Sequence, residues 1–381
     1  METKTKSKAL EKFTEVTATL VNPDIRQWKK KGGKVVGYFC SHGPKEIIAA
    51  SGMLPIRMRA TGSKGTEQAD AYLDSINCSF CRHCFNLGLI GEYDFIDGAV
   101  LHNTCDHARR IYDNWKRYVK TPFVEVMSLP KKTGQLQVDR YRGELVLFKE
   151  KLEKKFGVEI SERRLWEEIK ISNETRRLQR SLYDLRKTKN PPITGAETLA
   201  VIVASTAMPA AHYNELLNEL LREISGKEGK GGYKARLMVV GSVLDNPSFI
   251  QLIEDQGGLV VSDLLCFGTK LMWYDIDESI KDPLTALADY YVTKRPSCPH
   301  MFGRLDQSVE LIKNMVRDFK VDGIVGELML FCDNWTIEHY MLSKKLKAQG
   351  IPYITLDREY TMGNVGQLRT RIQAFVETLG G

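Results

Sequence analysis

Residues 34–40 read Lys34-Val35-Val36-Gly37-Tyr38-Phe39-Cys40, a short apolar run with two adjacent β-branched residues. Following Gly32-Gly33, this run reads as a buried strand. Pro44-Lys45-Glu46-Ile47-Ile48-Ala49-Ala50 then opens a helix with proline in its first turn. Leu54-Pro55-Ile56-Arg57-Met58 is a second strand. Strand, helix and strand on short links form a βαβ unit, which favours a parallel sheet and an α/β fold.

Working outward, residues 8–30 read as amphipathic helix broken near Asn22-Pro23. The strand Phe95-Ile96-Asp97-Gly98-Ala99-Val100-Leu101 leads to Cys105, and Asp106 is a candidate N-cap for the helix after it. Residues 121–127 form another strand. Residues 134–187 are mostly helical, in two pieces joined near Gly157-Val158-Glu159-Ile160, with Ser161 capping the second. Thr194-Gly195-Ala196-Glu197 fits a capping box, and its helix runs toward Leu221 with a kink near Pro209. Strands near 235–241, 258–263, 322–326 and 352–356 alternate with helices. The expected organisation is a helical N-terminal segment (1–33), a first α/β domain (34–133), a helical connector (134–193) and a second α/β domain (194–381). One internal echo supports two similar domains. Asp97-Gly98-Ala99-Val100 leads into Cys105-Asp106, and Asp322-Gly323-Ile324-Val325 leads into Cys332-Asp333. The echo predicts that Cys105 and Cys332 face each other across a cleft between the domains.

The 381 residues are 43% hydrophobic and 27% charged, with 55 Lys+Arg against 48 Asp+Glu. That composition suits a globular protein, and the mild excess of positive charge favours anionic substrates. Basic residues are interleaved with acids, which argues against a nucleic-acid partner. No apolar segment follows the polar start Met1-Glu2-Thr3-Lys4, so no signal peptide is read. The longest apolar run, near 199–211, is interrupted by Ser205, Thr206 and Pro209 and falls short of the ~20 residues of a membrane span. A cytoplasmic location is therefore expected, where disulfides are rare. Gly-x4-Gly-Lys-Ser/Thr is absent from the sequence, so this chain is not expected to bind ATP.

Four of the eight cysteines fall between residues 78 and 105, three of them in Cys78-Ser79-Phe80-Cys81-Arg82-His83-Cys84. Thiolate is a metal ligand. Zinc scaffolds commonly use two close pairs, and a second Cys-x2-Cys is lacking. One close group completed by remote cysteines at strand-to-helix turns suits an anionic iron–sulfur centre, because helix N-termini stabilise negative charge. Zinc, and plain burial of free thiols, are the other readings. His83 and His107 adjoin these cysteines and are candidate proton donors, whereas His42, His102, His212, His300 and His339 carry no motif.

Several stretches resemble the benzoyl-CoA reductase / 2-hydroxyacyl-CoA dehydratase family. They are Gly37-Tyr38-Phe39-Cys40, the run from Ile47 to Arg57, Thr104-Cys105-Asp106, Asn173-Glu174-Thr175-Arg176-Arg177, Phe331-Cys332-Asp333 and the run from Gly366 to Phe375. The resemblance covers nearly the whole chain and is closest to the cluster-carrying subunits of benzoyl-CoA reductase. It implies two flavodoxin-like (Rossmann-like) domains with a [4Fe-4S] cluster between them. The family's ligands carry over to Cys78, Cys105 and Cys332, with Cys81 an alternative to Cys78. Three ligands leave one iron open. The implied partners are a paralogous larger cluster-carrying subunit, ATP-hydrolysing iron–sulfur subunits that activate the electron, and an acyl-CoA thioester. The implied reaction is reduction of an aromatic acyl-CoA in anaerobic aromatic degradation. The alternatives are ketyl-radical dehydration of a 2-hydroxyacyl-CoA, a non-catalytic iron–sulfur or zinc scaffold, and a double-cubane reductase of small molecules, for which Cys40, Cys266 and Cys298 would complete six ligands.

Overall fold

The computed structural model describes residues 7–229, 231–363 and 365–380. Two helices, α1 (Lys8–Ala18) and α2 (Pro23–Lys30), precede the first sheet, and the Asn22 side chain caps α2. The first α/β unit then runs β1 (Val35–Tyr38), α3 (Lys45–Ala50), β2 (Leu54–Arg57), α4 (Ser79–Leu89), β3 (Gly98–His102), α5 (Asp106–Tyr118) and β4 (Val124–Met127). Two long helices follow, α6 (Gln135–Phe156) and α7 (Glu162–Asp184), with Gly157 in the left-handed conformation ending α6 and Ser161 capping α7. Next come α8 (Gly195–Ala204) and α9 (Ala210–Ile224). The second unit is β5 (Ala235–Gly241), α10 (Ser248–Glu254), β6 (Gly258–Leu264), α11 (Pro283–Asp289), α12 (Leu305–Asp318), β7 (Gly323–Met329), α13 (Asp333–Lys347), β8 (Tyr353–Arg358) and α14 (Val365–Leu379).

The two sheets share one topology. Their strand orders are β2-β1-β3-β4 and β6-β5-β7-β8, and every pairing is parallel. This is the flavodoxin-like order, in which ligands bind beyond the carboxyl ends of the strands. β3, β5 and β6 are buried almost throughout, as strands covered on both faces must be. No helix among the described residues is long and apolar enough to cross a membrane.

Two expectations are corrected. The helix opened by the Thr194–Glu197 capping box is broken, not kinked. Residues 205–209 leave the helix because Thr206 C=O accepts from Arg57 N–H at the end of β2, and Ala207 C=O accepts from the Asn22 amide. The cap of α5 is Cys105 itself, whose sulfur accepts from Ala108 N–H at 3.4 Å; Asp106 is the first helical residue.

Helix α7 holds the two sheets in register through the Asn173–Arg177 run. Asn173 donates to Ile276 C=O and accepts from Ile276 N–H. Arg177 pairs with Asp275 and Glu278. Arg176 is fully inside, 2.9 Å from Glu46 on α3, and Glu46 also accepts from the Tyr291 hydroxyl at 2.8 Å. One buried carboxylate thus joins the connector, the first unit and the second. Removing one partner of a buried ion pair strands the other charge. Arg176→Met is expected to lower unfolding stability by about 3–5 kcal/mol, read as a fall in the urea midpoint; a midpoint within error of the parent would contradict the assignment.

Candidate metal centre

Cys78, Cys105 and Cys332 occupy one structural position three times. Each is the N-cap residue of a helix, α4, α5 and α13 respectively. Cys105 follows β3 and Cys332 follows β7, the equivalent third strands of the two units. At such turns the free backbone N–H groups and the helix dipole favour thiolate. The three sulfurs are electrostatic neighbours. Burial pushes Cys332 well above the usual thiol range, with Cys78 and Cys105 adding to the rise. Burial pushes Cys105 up to about 12 despite the Ala108 hydrogen bond, with Cys78 and Cys40 again adding. Phe331, just before Cys332, has φ 62, a strained value for an aromatic residue of the kind found at functional sites.

The cap regions are laced together across the two units. Asn334 donates to Thr104 C=O at 3.0 Å. His107 lies 2.9 Å from the Asp333 carboxylate and 3.0 Å from Asn77 Oδ1. His107 therefore sits as a tie between all three caps. His83 is hydrogen-bonded to Ser63 Oγ at 2.8 Å and packs beside the Tyr360 ring. Burial, then Arg82, lowers its pKa.

Cys78 and Cys81 are close neighbours at the start of α4. The Cys81 thiol holds Cys78 below the usual thiol range, and Cys78, with burial, drives Cys81 well above it. Cys84, one turn further on, is fully buried in the apolar cluster around Phe85 and Trp115.

Cys40, Cys266 and Cys298 form a second group beside the first. Cys40 follows β1, Cys266 follows β6, and Cys298 lies in the loop after a π-helical turn spanning Tyr290–Lys294. Such turns recur at functional sites. Burial raises Cys40, and the neighbouring Cys298 thiol raises it further. Burial also raises Cys266, opposed by Lys270. Cys40 Sγ is 3.7 Å from His42 Nδ1. The Cys298 sulfur and ring nitrogens of His42 and His300 all lie within 4.8 Å of one another. All eight cysteines are free thiols.

The surroundings of this second group are strongly positive. Arg57, Lys270, Arg295 and Arg304 are 3%, 1%, 1% and 7% exposed. Among the described residues none of the four has a carboxylate within ion-pair distance. Arg57 donates to Cys266 C=O at 2.5 Å, and Arg295 to Ser41 C=O at 2.5 Å and Ser41 Oγ at 3.0 Å. Lys270 Nζ has no hydrogen-bond partner and lies 4.3 Å from the centre of the Trp335 ring. His102 and His300 are buried with both ring nitrogens unpartnered. Burial, reinforced by nearby cationic groups, lowers both to about 3. His42 is likewise lowered, first by burial. Burying unpaired cations and unsatisfied donors is costly, so this interior is shaped for a negatively charged guest. Six thiols that can ionise, ringed by donors, fit an anionic iron–sulfur centre better than a lone divalent cation.

Cys40, Cys78, Cys105, Cys266, Cys298 and Cys332 are thus brought together from distant stretches, with His107 tying the first group, whereas His83 is turned to Ser63 and Tyr360. Reasoning from sequence misses the four cations and the His42–His102–His300 group. Arg57 alone lies in a resembling stretch; Lys270, Arg295 and the histidines have no local pattern.

A family model described as 2-hydroxyglutaryl-CoA dehydratase, D-component, matches residues 40–379. Among curated relatives, YjiM of Escherichia coli strain K12, named as a putative dehydratase subunit, is 27% identical over 93% of this chain and 94% of its own. The beta subunit of (R)-phenyllactyl-CoA dehydratase of Clostridium sporogenes is 24% identical over 96% and 98%. A benzoyl-CoA reductase subunit of Thauera aromatica is 25% identical over 93% and 93%.

The buried histidines give this interior a pH signature. A neutral imidazole with a folded pKa near 3 binds its proton later than the unfolded chain does, near 6.5. The unfolded state therefore holds more protons below pH 6.5, and stability is lost as pH falls from there toward 3. His102→Gln is expected to shallow that loss in the metal-free chain, measured as urea midpoints across the acid range. An unchanged slope would mean that His102 is not held neutral.

Proposed function

The chain belongs to the 2-hydroxyglutaryl-CoA dehydratase D-component family, and we propose that it is a redox enzyme of that family with an iron–sulfur centre spanning both thiol groups. Cys78, Cys105 and Cys332 would hold one half, and Cys40, Cys266 and Cys298 the other, as a double cubane. The observation that carries this reading is the second thiol group itself, lying beside the first and among four buried cations without carboxylate partners. A single cubane on the first group leaves those cations uncompensated. Such a centre supplies single electrons at low potential.

The protein's own residues have definite tasks in this reading. Three helix N-termini favour thiolate at the first group. Arg57, Lys270 and Arg295 offset negative charge at the second, and Arg57 and Arg295 fix the loops carrying Cys266 and Cys40 by donating to Cys266 C=O and Ser41 C=O. Cys78 is favoured over Cys81 as ligand because it is the cap residue and the neighbour of both Cys105 and Cys332. The substrate class is a small unsaturated molecule, reduced with uptake of protons.

A second reading is favoured by the relatives' names: a subunit acting on an acyl-CoA thioester, by aromatic-ring reduction or by removal of water, with one cubane on Cys78, Cys105 and Cys332. In that case partner subunits and an ATP-driven electron donor complete the enzyme.

Iron and sulfide per chain distinguish the two. Anaerobically isolated protein is expected to carry about eight irons for two linked cubanes, against about four for one cubane. Cys266→Ala is expected to lower the iron content and change the EPR spectrum of the reduced protein. Full retention of both in Cys266→Ala would overturn the double-cubane reading, and zinc without iron would overturn both.

A further inference from the structure

Lys45 stands where two cavities meet. The outer one, about 190 Å³, opens to solvent between β1, α3 and α7 and is walled by Trp28, Met53, Ile171 and Met208, with Arg164 and Glu168. The inner one, about 20 Å³, is bounded by Ser41, Arg176, Lys270, Tyr291 and Arg295. Tyr38, Lys45 and Ser205 line both. Lys270 and Arg295 are two of the three cations that border Cys266, and Ser41 adjoins Cys40. The two cavities thus share a wall at Lys45, and the inner one is bounded by residues that neighbour the second thiol group. The inner space holds roughly one water, which passes a proton but excludes a larger substrate.

We infer that Lys45 is the proton-relay group of this inlet, feeding the reductive chemistry beside Cys40, Cys266 and Cys298. The inference rests on the reading of that group as a reducing site. Reduction of an unsaturated bond X=Y to HX–YH takes two electrons and two protons. The electrons come from an external low-potential one-electron reductant. The Lys45 ammonium gives a proton to the inner water, which hands it on to the reacting molecule. The neutral amine then takes a replacement proton from water in the outer cavity.

The groups around Lys45 suit a relay. It has no ion pair or hydrogen bond from its side chain among the described residues, whereas its neighbour Glu46 is committed to Arg176. Burial pulls the Lys45 ammonium down to about 8; Glu46 and Glu168 oppose the fall, and Arg176 adds to it. Tyr38, Tyr290, Tyr291, Arg164, Lys270 and Arg295 are the other ionisable groups lining the two cavities. An amine that titrates near 8 can both lose and regain a proton during turnover, which an arginine cannot.

The test has two arms. In the first, the isolated protein is acetylated with acetic anhydride over a range of pH, and each lysine is followed by mass spectrometry. Lys45 is expected to react with a midpoint near 8, below the solvent-exposed lysines. A Lys45 that never reacts, or that titrates with the exposed lysines, overturns the inlet whether or not the protein holds iron. In the second, iron-loaded protein is reduced with Ti(III) citrate and offered acetylene as a probe. Lys45→Met and Lys45→Arg are both expected to cut turnover about tenfold or more, with iron content and EPR spectrum unchanged. Methylamine should restore the Met variant, and the parent's rate should fall as pH rises through about 8 while both variants stay flat. Full activity in Lys45→Arg would reduce Lys45 to a fixed charge and overturn the relay. Absence of iron from the parent protein would instead defeat the functional reading, and the acetylation arm alone then decides the inlet.

Discussion

Positive charge without a carboxylate to meet it is the constraint on which the interior of this protein turns. Arg57, Lys270, Arg295 and Arg304 are taken out of water, the first three beside Cys266. Elsewhere in the same chain two buried arginines are matched, Arg176 by Glu46 and Arg358 by Glu327, while Arg59 and Arg186 donate to backbone carbonyls. What sets the second thiol group apart is that Lys270, Arg57 and Arg295 gather at one place. Like charges repel strongly at low dielectric, and each has lost its hydration. The nearby groups that can turn negative are the thiols and Glu338, and burial holds Cys40, Cys266 and the Glu338 carboxyl up in the uncharged form. Thiols forced neutral beside cations left bare are the two halves of a site that a metal–sulfide centre would satisfy together, since binding metal deprotonates the thiols.

The fold explains why such a site can be assembled. Two units with the same parallel order present the ends of their equivalent strands to each other. A cysteine after the third strand of each becomes a helix cap facing the same cleft. The second thiol group breaks the symmetry, since Cys40 follows the first strand of one unit and Cys266 the second strand of the other. Asymmetry of this kind needs rigid support, and α7 supplies it from behind. Asn173 fixes the Ile276 backbone, and Glu46 joins Arg176 to Tyr291 at the start of the π-helical turn that leads to Arg295 and Cys298.

Much of this is legible in the sequence, because it is local. The run 34–40, the Thr194–Glu197 capping box, the Ser161 cap and the paired Cys-Asp turns each state their structure within a few residues. The break at 205–209 reads as a kink because its cause is remote: hydrogen bonds from Arg57 N–H and the Asn22 side chain. Asp106 reads as a cap because aspartate usually outcompetes sulfur there, yet here the cysteine occupies the half-helical position. The cations and the histidine trio are invisible for a deeper reason. Lys270 and Arg295 look like any surface lysine and arginine in sequence, and only the closing of the cleft removes them from water.

The crowding of three cysteines into residues 78–84 divides by geometry. Cys84 faces the apolar cluster under α4, where burial keeps it a thiol and where it serves as a small apolar side chain. Cys81 lies on the first turn beside Cys78. The Cys81 thiol lowers the pKa of Cys78, whereas Cys105 and Cys332 are driven the other way by burial. In the proposed centre Cys78 is the cap cysteine that neighbours both Cys105 and Cys332, and Cys81 stands behind it.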